Sequence, residues 1–223
     1  TSVECLEKLF GVMQLTSVAT QEACVGALDH LAFNADKKVR GRMMSSGVLA
    51  RVFAAMEAHS ASAGVNVVGL GVVKNLGVPP ELAHDILSRR GRLFLNAMGI
   101  HLACLPVQEA AFATLRALLD YSLAIFFPVE FLLAMLNQEV ASMAAHVGSP
   151  AVQEHGCCTF ASLLRSGVDL SQAFVSSGGL DRVHVAMEHH MSSVALARHA
   201  CAVLLKLDVC GVSMLFLLRL VLS

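Results

Sequence analysis

A short pattern returns along the chain at an almost constant interval, and that interval limits the fold more than any other feature. Met and His stand three residues apart in AMEAH (55–59), AMGIH (97–101), SMAAH (142–146) and AMEHH (186–190). Met56, Met98, Met143 and Met187 follow one another at steps of 42, 45 and 44 residues. A second pattern keeps the same step: TQEA (20–23), VNVV (65–68), VQEA (107–110), VQEH (152–155) and LARH (196–199). Its second residues, Gln21, Asn66, Gln108, Gln153 and Ala197, lie 45, 42, 45 and 44 residues apart. Two anchors with one period mean that the chain is built from copies of one supersecondary module.

Behind the second anchor the copies agree again. Three residues on stands a small residue: Cys24, Gly69, Ala111, Gly156 or Ala200. Seven on stands an apolar one: Leu28, Val73, Leu115, Phe160 or Leu204. Ten on stands Leu every time: Leu31, Leu76, Leu118, Leu163 and Leu207. Offsets of 3, 7 and 10 fall on one stripe of an α-helix, so this segment is predicted to be helical with that stripe inward. The small residue marks a place where a neighbouring helix crosses closely. Ser149-Pro150 reads as an N-cap followed by a first-turn proline.

A second helix is predicted upstream of each Met-His pair. It is introduced by glycine in SSGVLARVFAAM (45–56), RRGRLFLNAM (89–98) and SSGGLDRVHVAM (176–187). Gly47, Gly91 and Gly179 are expected to make the turn into it. In FFPVEFLLAMLNQEVASM (126–143) Pro128 replaces the glycine and extra helix precedes the Met, so this copy is the irregular one.

Met and His are both soft-metal ligands, which raises the question of a metal site displayed four times. An ion holds its ligands within about 2–2.5 Å, whereas stacked helices lie ~8–10 Å apart. His59, His101, His146 and His190 therefore cannot share an ion, and one Met-His pair supplies too few ligands. Met as a core filler and His at the negative end of a helix account for every copy, so no metal is expected.

Hydrophobic residues make up 56% of the 223 and charged residues 15%, with a net charge of −1. That balance argues against nucleic acid as a partner, since such a protein carries a basic stripe. The mean hydropathy of +0.65 prompts a search for a membrane span. Neither 209–218 (VCGVSMLFLL) nor 93–107 provides the ~20 apolar residues a span needs, so no integral span is expected. Seven cysteines, with no CxxC pair, look like small core residues in a reducing, cytoplasmic setting. The chain starts at Thr1 without a signal-peptide pattern, and it reads as part of something longer.

A period in the low forties is that of HEAT and armadillo arrays. QEACVGALDHLAFN, GVNVVGLGVVKNLGV and VQEHGCCTFASLL resemble the third helix of an armadillo repeat. SQAFVSSGGLDRVHVAMEHH is similar to the preceding Gly-Gly turn and second helix. The resemblance runs from about Val18 to Leu207 and implies an all-α fold: a right-handed α-solenoid of about five repeat units, a single array over 1–223. It also implies a groove lined by third helices that takes a partner protein or an extended peptide. An importin-type ladder would need Trp five residues after the anchor and Asn nine after it. The five-on residues are Gly26, Gly71, Ala113, Cys158 and Ala202, the chain has no Trp, and Asn75 is the one nine-on match. A nuclear-import adaptor is not expected.

The groove positions this implies, nine after the anchor and their neighbours, are His30, Asn34, Asn75, Arg116, Arg165 and Lys206. Their basic tilt favours acidic segments on a protein partner. No GxSxG, HExxH or Walker motif occurs, and Gly69-x-Gly71 sits within a repeat helix by register, so neither catalysis nor a cofactor is expected. His184, His189 and His190 with Glu188 lack the i, i+4 His pairing of a helical zinc site. Cys158 is expected to be partly exposed beside His155. The rival to a binding module is a structural brace inside a larger protein. Residues 215–222 (LFLLRLVL) support that rival, being apolar nearly all round and suited to another repeat, a domain or a membrane surface.

Overall fold

A computed structural model of the protein describes residues 2–14, 17–119, 127–165 and 168–209. Among them all regular structure is α-helical, and the chain divides into two compact units, Thr1–Tyr121 and Ser122–Ser223. The first contains α1 (Ser2–Val12), α2 (Val18–Asn34), α3 (Lys37–Ser45), α4 (Val48–Ala58), α5 (Ala63–Asn75), α6 (Pro80–Ile100) and α7 (Leu105–Leu119). The second contains α8 (Val129–Ala145), α9 (Pro150–Leu164), α10 (Ser171–Ser176), α11 (Gly179–His189) and α12 (Val194–Val209). The apolar segment 215–222 lies outside the described residues.

Each Met-His pair closes a helix in one manner. His59, His101, His146 and His190 are the C-cap residues of α4, α6, α8 and α11, with φ between −110° and −128° and ψ between 36° and 47°. Their N–H groups still donate to the carbonyl four residues back, the last turn of the helix. Three residues on, the N–H of Ser62, Cys104, Ser149 or Ser193 donates to the His carbonyl at 2.8–3.0 Å and sets the chain into the next helix. The hydroxyls of Ser62, Ser149 and Ser193 then accept from the N–H of Val65, Val152 and Leu196, satisfying a first-turn donor of that helix. The predicted Ser149 cap and Pro150 start are found in α9.

The second anchor closes the joint. Gln108 and Gln153 are buried, and each Nε2 donates to two carbonyls at 2.9 Å: Met98 and His101 for one, Met143 and His146 for the other. A long amide thus satisfies carbonyls that a helix C-terminus leaves open. The shorter Asn66 reaches the turn, donating to Ser60 O at 3.1 Å and Ser62 O at 2.8 Å. Gln21 donates to Met13 O at 2.7 Å. In the copies with Gln108 and Gln153 the two anchors are bonded to each other, which fixes the distance between them.

The inward stripe is observed with one departure. The residues at offsets 3 and 7 are buried in every copy, as are Leu76, Leu118, Leu163 and Leu207. Leu31 is 39% exposed instead. At Gly69 and Gly156, both at offset 3, the crossing neighbour is the Met of the preceding helix. A Cβ on Gly69 would lie 2.7 Å from Met56 Cγ, and one on Gly156 would lie 2.8 Å from Met143 Cγ and closer still to its Sδ. Gly156→Ala is therefore expected to lower stability by about 1–3 kcal/mol through overpacking. Gly148→Ala, where nothing lies within 4 Å, should be near neutral. Urea denaturation of the two variants side by side checks this.

Two predicted turns need correction. The left-handed residues that open α4 and α11 are Gly47 (φ 82°) and Gly178 (φ 84°), not Gly179, whose Cα packs against the Phe174 ring. Gly91 makes no turn: it is buried inside the 21-residue helix α6. The difference lies in the residues ahead of the glycine. Ser46 Oγ donates to Met43 O and Ser177 Oγ to Phe174 O, so each hydroxyl takes a carbonyl and helps end the helix. Arg89 and Arg90 have no such group, and the helix continues through Gly91.

Within each unit the helices that follow the anchors lie side by side. In the first, α2 packs on α5 and α5 on α7; in the second, α9 packs on α12. Two imidazoles tie successive copies together. His101 Nε2 donates to Ser60 O at 2.8 Å, 41 residues back, and His190 Nε2 to Val147 O at 2.7 Å, 43 back.

Candidate partner-binding surface

His30 is exposed near the end of α2, and Asn34, its last residue, donates from Nδ2 to His30 O at 2.9 Å. Asn75 ends α5 half-buried, and its Nδ2 donates to Asp29 Oδ1 at 2.8 Å, which brings it to the end of α2. Arg116 is half-buried in the last turn of α7. These four residues belong to the first unit.

In the second unit Arg165 is the exposed C-cap of α9, with one guanidinium nitrogen 3.3 Å from Ser162 Oγ. Lys206 is half-buried in the last turn of α12. Near it stands the carboxylate of Asp169. That group is held below the usual carboxylate range by the Ser171 N–H at 3.1 Å, by the Ser171 hydroxyl and by the Lys206 charge.

Sequence reasoning missed the surface around α3. Leu31 is exposed because α2 leaves its end uncovered there, above an open depression of about 730 Å³ lined by Leu9, Ala27, Leu31 and Val39 together with His30 and Asn34. Phe33 is 66% exposed. The signal was present in the sequence: Leu31 and Phe33 flank the buried Ala32, and residues two apart cannot share one helical face. Lys37, Lys38 and Arg42 are exposed on α3, and none forms an ion pair among the described residues. The basic run on α6 differs, with Arg89 paired to Asp85 and Arg90 to Glu57.

Cys158 is buried, contrary to expectation, because α8, α11 and α12 all pack on α9 and cover more than one face. Burial, with the neighbouring Cys158 thiol, pushes the Cys157 thiol up to about 12, so no thiolate forms there at neutral pH. Cys24, Cys104, Cys157, Cys158 and Cys201 form no disulfide. His184 lies 3.0 Å from the Glu188 carboxylate, while His190 bonds to Val147 O. No three His, Cys, Asp or Glu side chains among the described residues meet as a metal site.

Neither a known protein family nor a curated protein matches this sequence. Among the described residues no helix is long and apolar enough to cross a membrane.

Proposed function

We propose that the chain is a non-enzymatic protein-interaction module, an armadillo-like right-handed α-solenoid of about five repeat units that holds a partner protein or extended peptide along its groove, in a reducing, cytoplasmic setting. The side-by-side packing of α2, α5 and α7, and of α9 and α12, carries this reading. His30, Asn75 and Lys206 stand nine residues after their anchors, and Asn34, Arg116 and Arg165 within a turn of that offset, so in each unit these residues gather at the ends of the stacked helices. Row geometry suits an extended ligand, which repeats along its own length. The cationic members favour acidic side chains on that ligand.

A variant with Asn75→Ala, Arg116→Glu, Arg165→Glu and Lys206→Glu tests the reading. Affinity enrichment with mass spectrometry is expected to lose a specific partner relative to the unaltered chain, at equal helicity by circular dichroism. Identical partners on both proteins would remove these residues from the site.

A specific observation favours a second reading, an intramolecular brace. Met191 is 87% exposed, Val194 74% and Leu205 68%, apolar side chains open to cover by another domain. A brace predicts self-association of the isolated chain, visible by sedimentation.

A further inference from the structure

We infer that the corner formed by the end of α2 and by α3 is a docking surface for an acidic peptide segment punctuated by large apolar side chains. The inference rests on the protein-binding reading and moves its contact off the row of equivalent offsets. Helix α3 is a ridge between two hollows that share Ala35 and Asp36. On one side is the apolar depression of about 730 Å³ with Leu9, Leu31 and Val39 in its wall. On the other is a hollow of about 640 Å³ that Lys37 and Arg40 enter. Arg40 is fixed in place, its Nε donating to Ala32 O at 3.1 Å.

The α3 sequence KKVRGRMMS carries four cations and no acid, in a chain whose net charge is −1. The neighbouring acid, Asp36, is committed as N-cap: its Oδ1 accepts from Val39 N at 2.8 Å. Lys37 and Lys38 also sit in the first turn of α3, where the helix dipole disfavours positive charge. Cations kept at an unfavourable terminus, beside open apolar walls, complement acidic side chains alternating with apolar ones. Nucleic acid fits less well, since it presents a continuous phosphate line and nothing to fill an apolar hollow. A lipid surface is flat and would leave the hollows on either side of the α3 ridge unfilled.

The test is selection of a random phage-displayed peptide library on the immobilised full chain, followed by affinity measurement with the enriched synthetic peptides. Three proteins are compared: the unaltered chain, a ridge variant (Lys37→Glu, Lys38→Glu, Arg42→Glu) and the row variant described above. Acids at 37 and 38 suit the dipole in the first turn of α3 and oppose the single unfavourable change at Arg42 in its last turn, and circular dichroism checks that the ridge variant keeps its helix. Enriched peptides should be rich in Asp and Glu with interspersed Leu or Phe. They should bind the ridge variant about tenfold or more weakly, bind the row variant unchanged, and weaken as salt rises. Peptides lost on the row variant alone would overturn this inference and leave the proposed function standing. If no peptide enriches on any of the proteins, both fail. Retention of a labelled 20-nucleotide strand or of phosphatidylserine vesicles, sensitive to the ridge variant and without acidic peptides, would also overturn it.

Discussion

Replacing Glu139 by leucine is expected to stabilise the second unit by about 1–3 kcal/mol at pH 7, the scale of one buried polar group relieved of its desolvation. Glu139 lies four residues before Met143 on α8, and the same offset in other copies holds Val52, Phe94 and Val183. All four are fully buried. Neither carboxyl oxygen has a hydrogen-bond partner of good geometry. The Thr159 hydroxyl is within reach, but its proton is directed to His155 O at 2.5 Å. Burial is the main cause and pushes the carboxyl well above the usual carboxylate range, which favours the neutral form in the folded chain.

The sign of the pH dependence follows. The folded state holds this proton to higher pH than the unfolded chain does. Its stability is therefore full below the unfolded carboxyl value of about 4.3 and falls as pH rises toward the folded value. Urea denaturation between pH 4 and 8 should show this decline in the unaltered chain, a flatter profile in Glu139→Gln, and the highest stability near neutrality in Glu139→Leu. Parallel profiles for the unaltered chain and Glu139→Gln would mean that the carboxyl reaches water.

Gln153→Ala is expected to cost about 1–3 kcal/mol, because Met143 O at the end of α8 loses this donor while shielded from water, whereas His146 O keeps the Ser149 N–H. The reciprocal change is available in the same molecule. Ala197 occupies the equivalent position of α12, behind a His190 cap with the same backbone conformation as His146. Ala197→Gln should add about 1 kcal/mol by supplying the missing bonds. Thermal denaturation of both variants decides the matter. A loss below about 0.5 kcal/mol for Gln153→Ala, the range of an ordinary surface change, would show that the amide is not needed.

Much of this was legible in the sequence for a physical reason: burial imposes the helical period on side chains, and period is visible in letters. The stripe through Gly156, Phe160 and Leu163 is such a case, and so is the placement of all four histidines at helix ends. Gln153 stands at the start of the same stripe, so its burial was written in the register, but the carbonyls it serves belong to a turn whose path letters do not show. The Ser-Ser-Gly register would have selected Gly178, since Ser176-Ser177-Gly178 matches Ser45-Ser46-Gly47. Glu139 was hidden because an acid among apolar letters reads as a solvent-facing residue until its offset is compared with Val52 and Phe94. For the binding surface, sequence offsets supplied the ends of the stacked helices. They gave no view of the hollows beside α3, which depend on what fails to cover Leu31.

The links around each joint have a consequence for how such a chain can change in length. Gln153 reaches back ten and seven residues, and His190 reaches back 43, one whole period. A gene that gains or loses a stretch matching the period hands every amide and imidazole an equivalent carbonyl. A change of any other length strands at least one of them. Whole modules are therefore the length change that this bonding pattern tolerates, and the steps of 42 to 45 residues show the slack that the connecting turns permit within that rule.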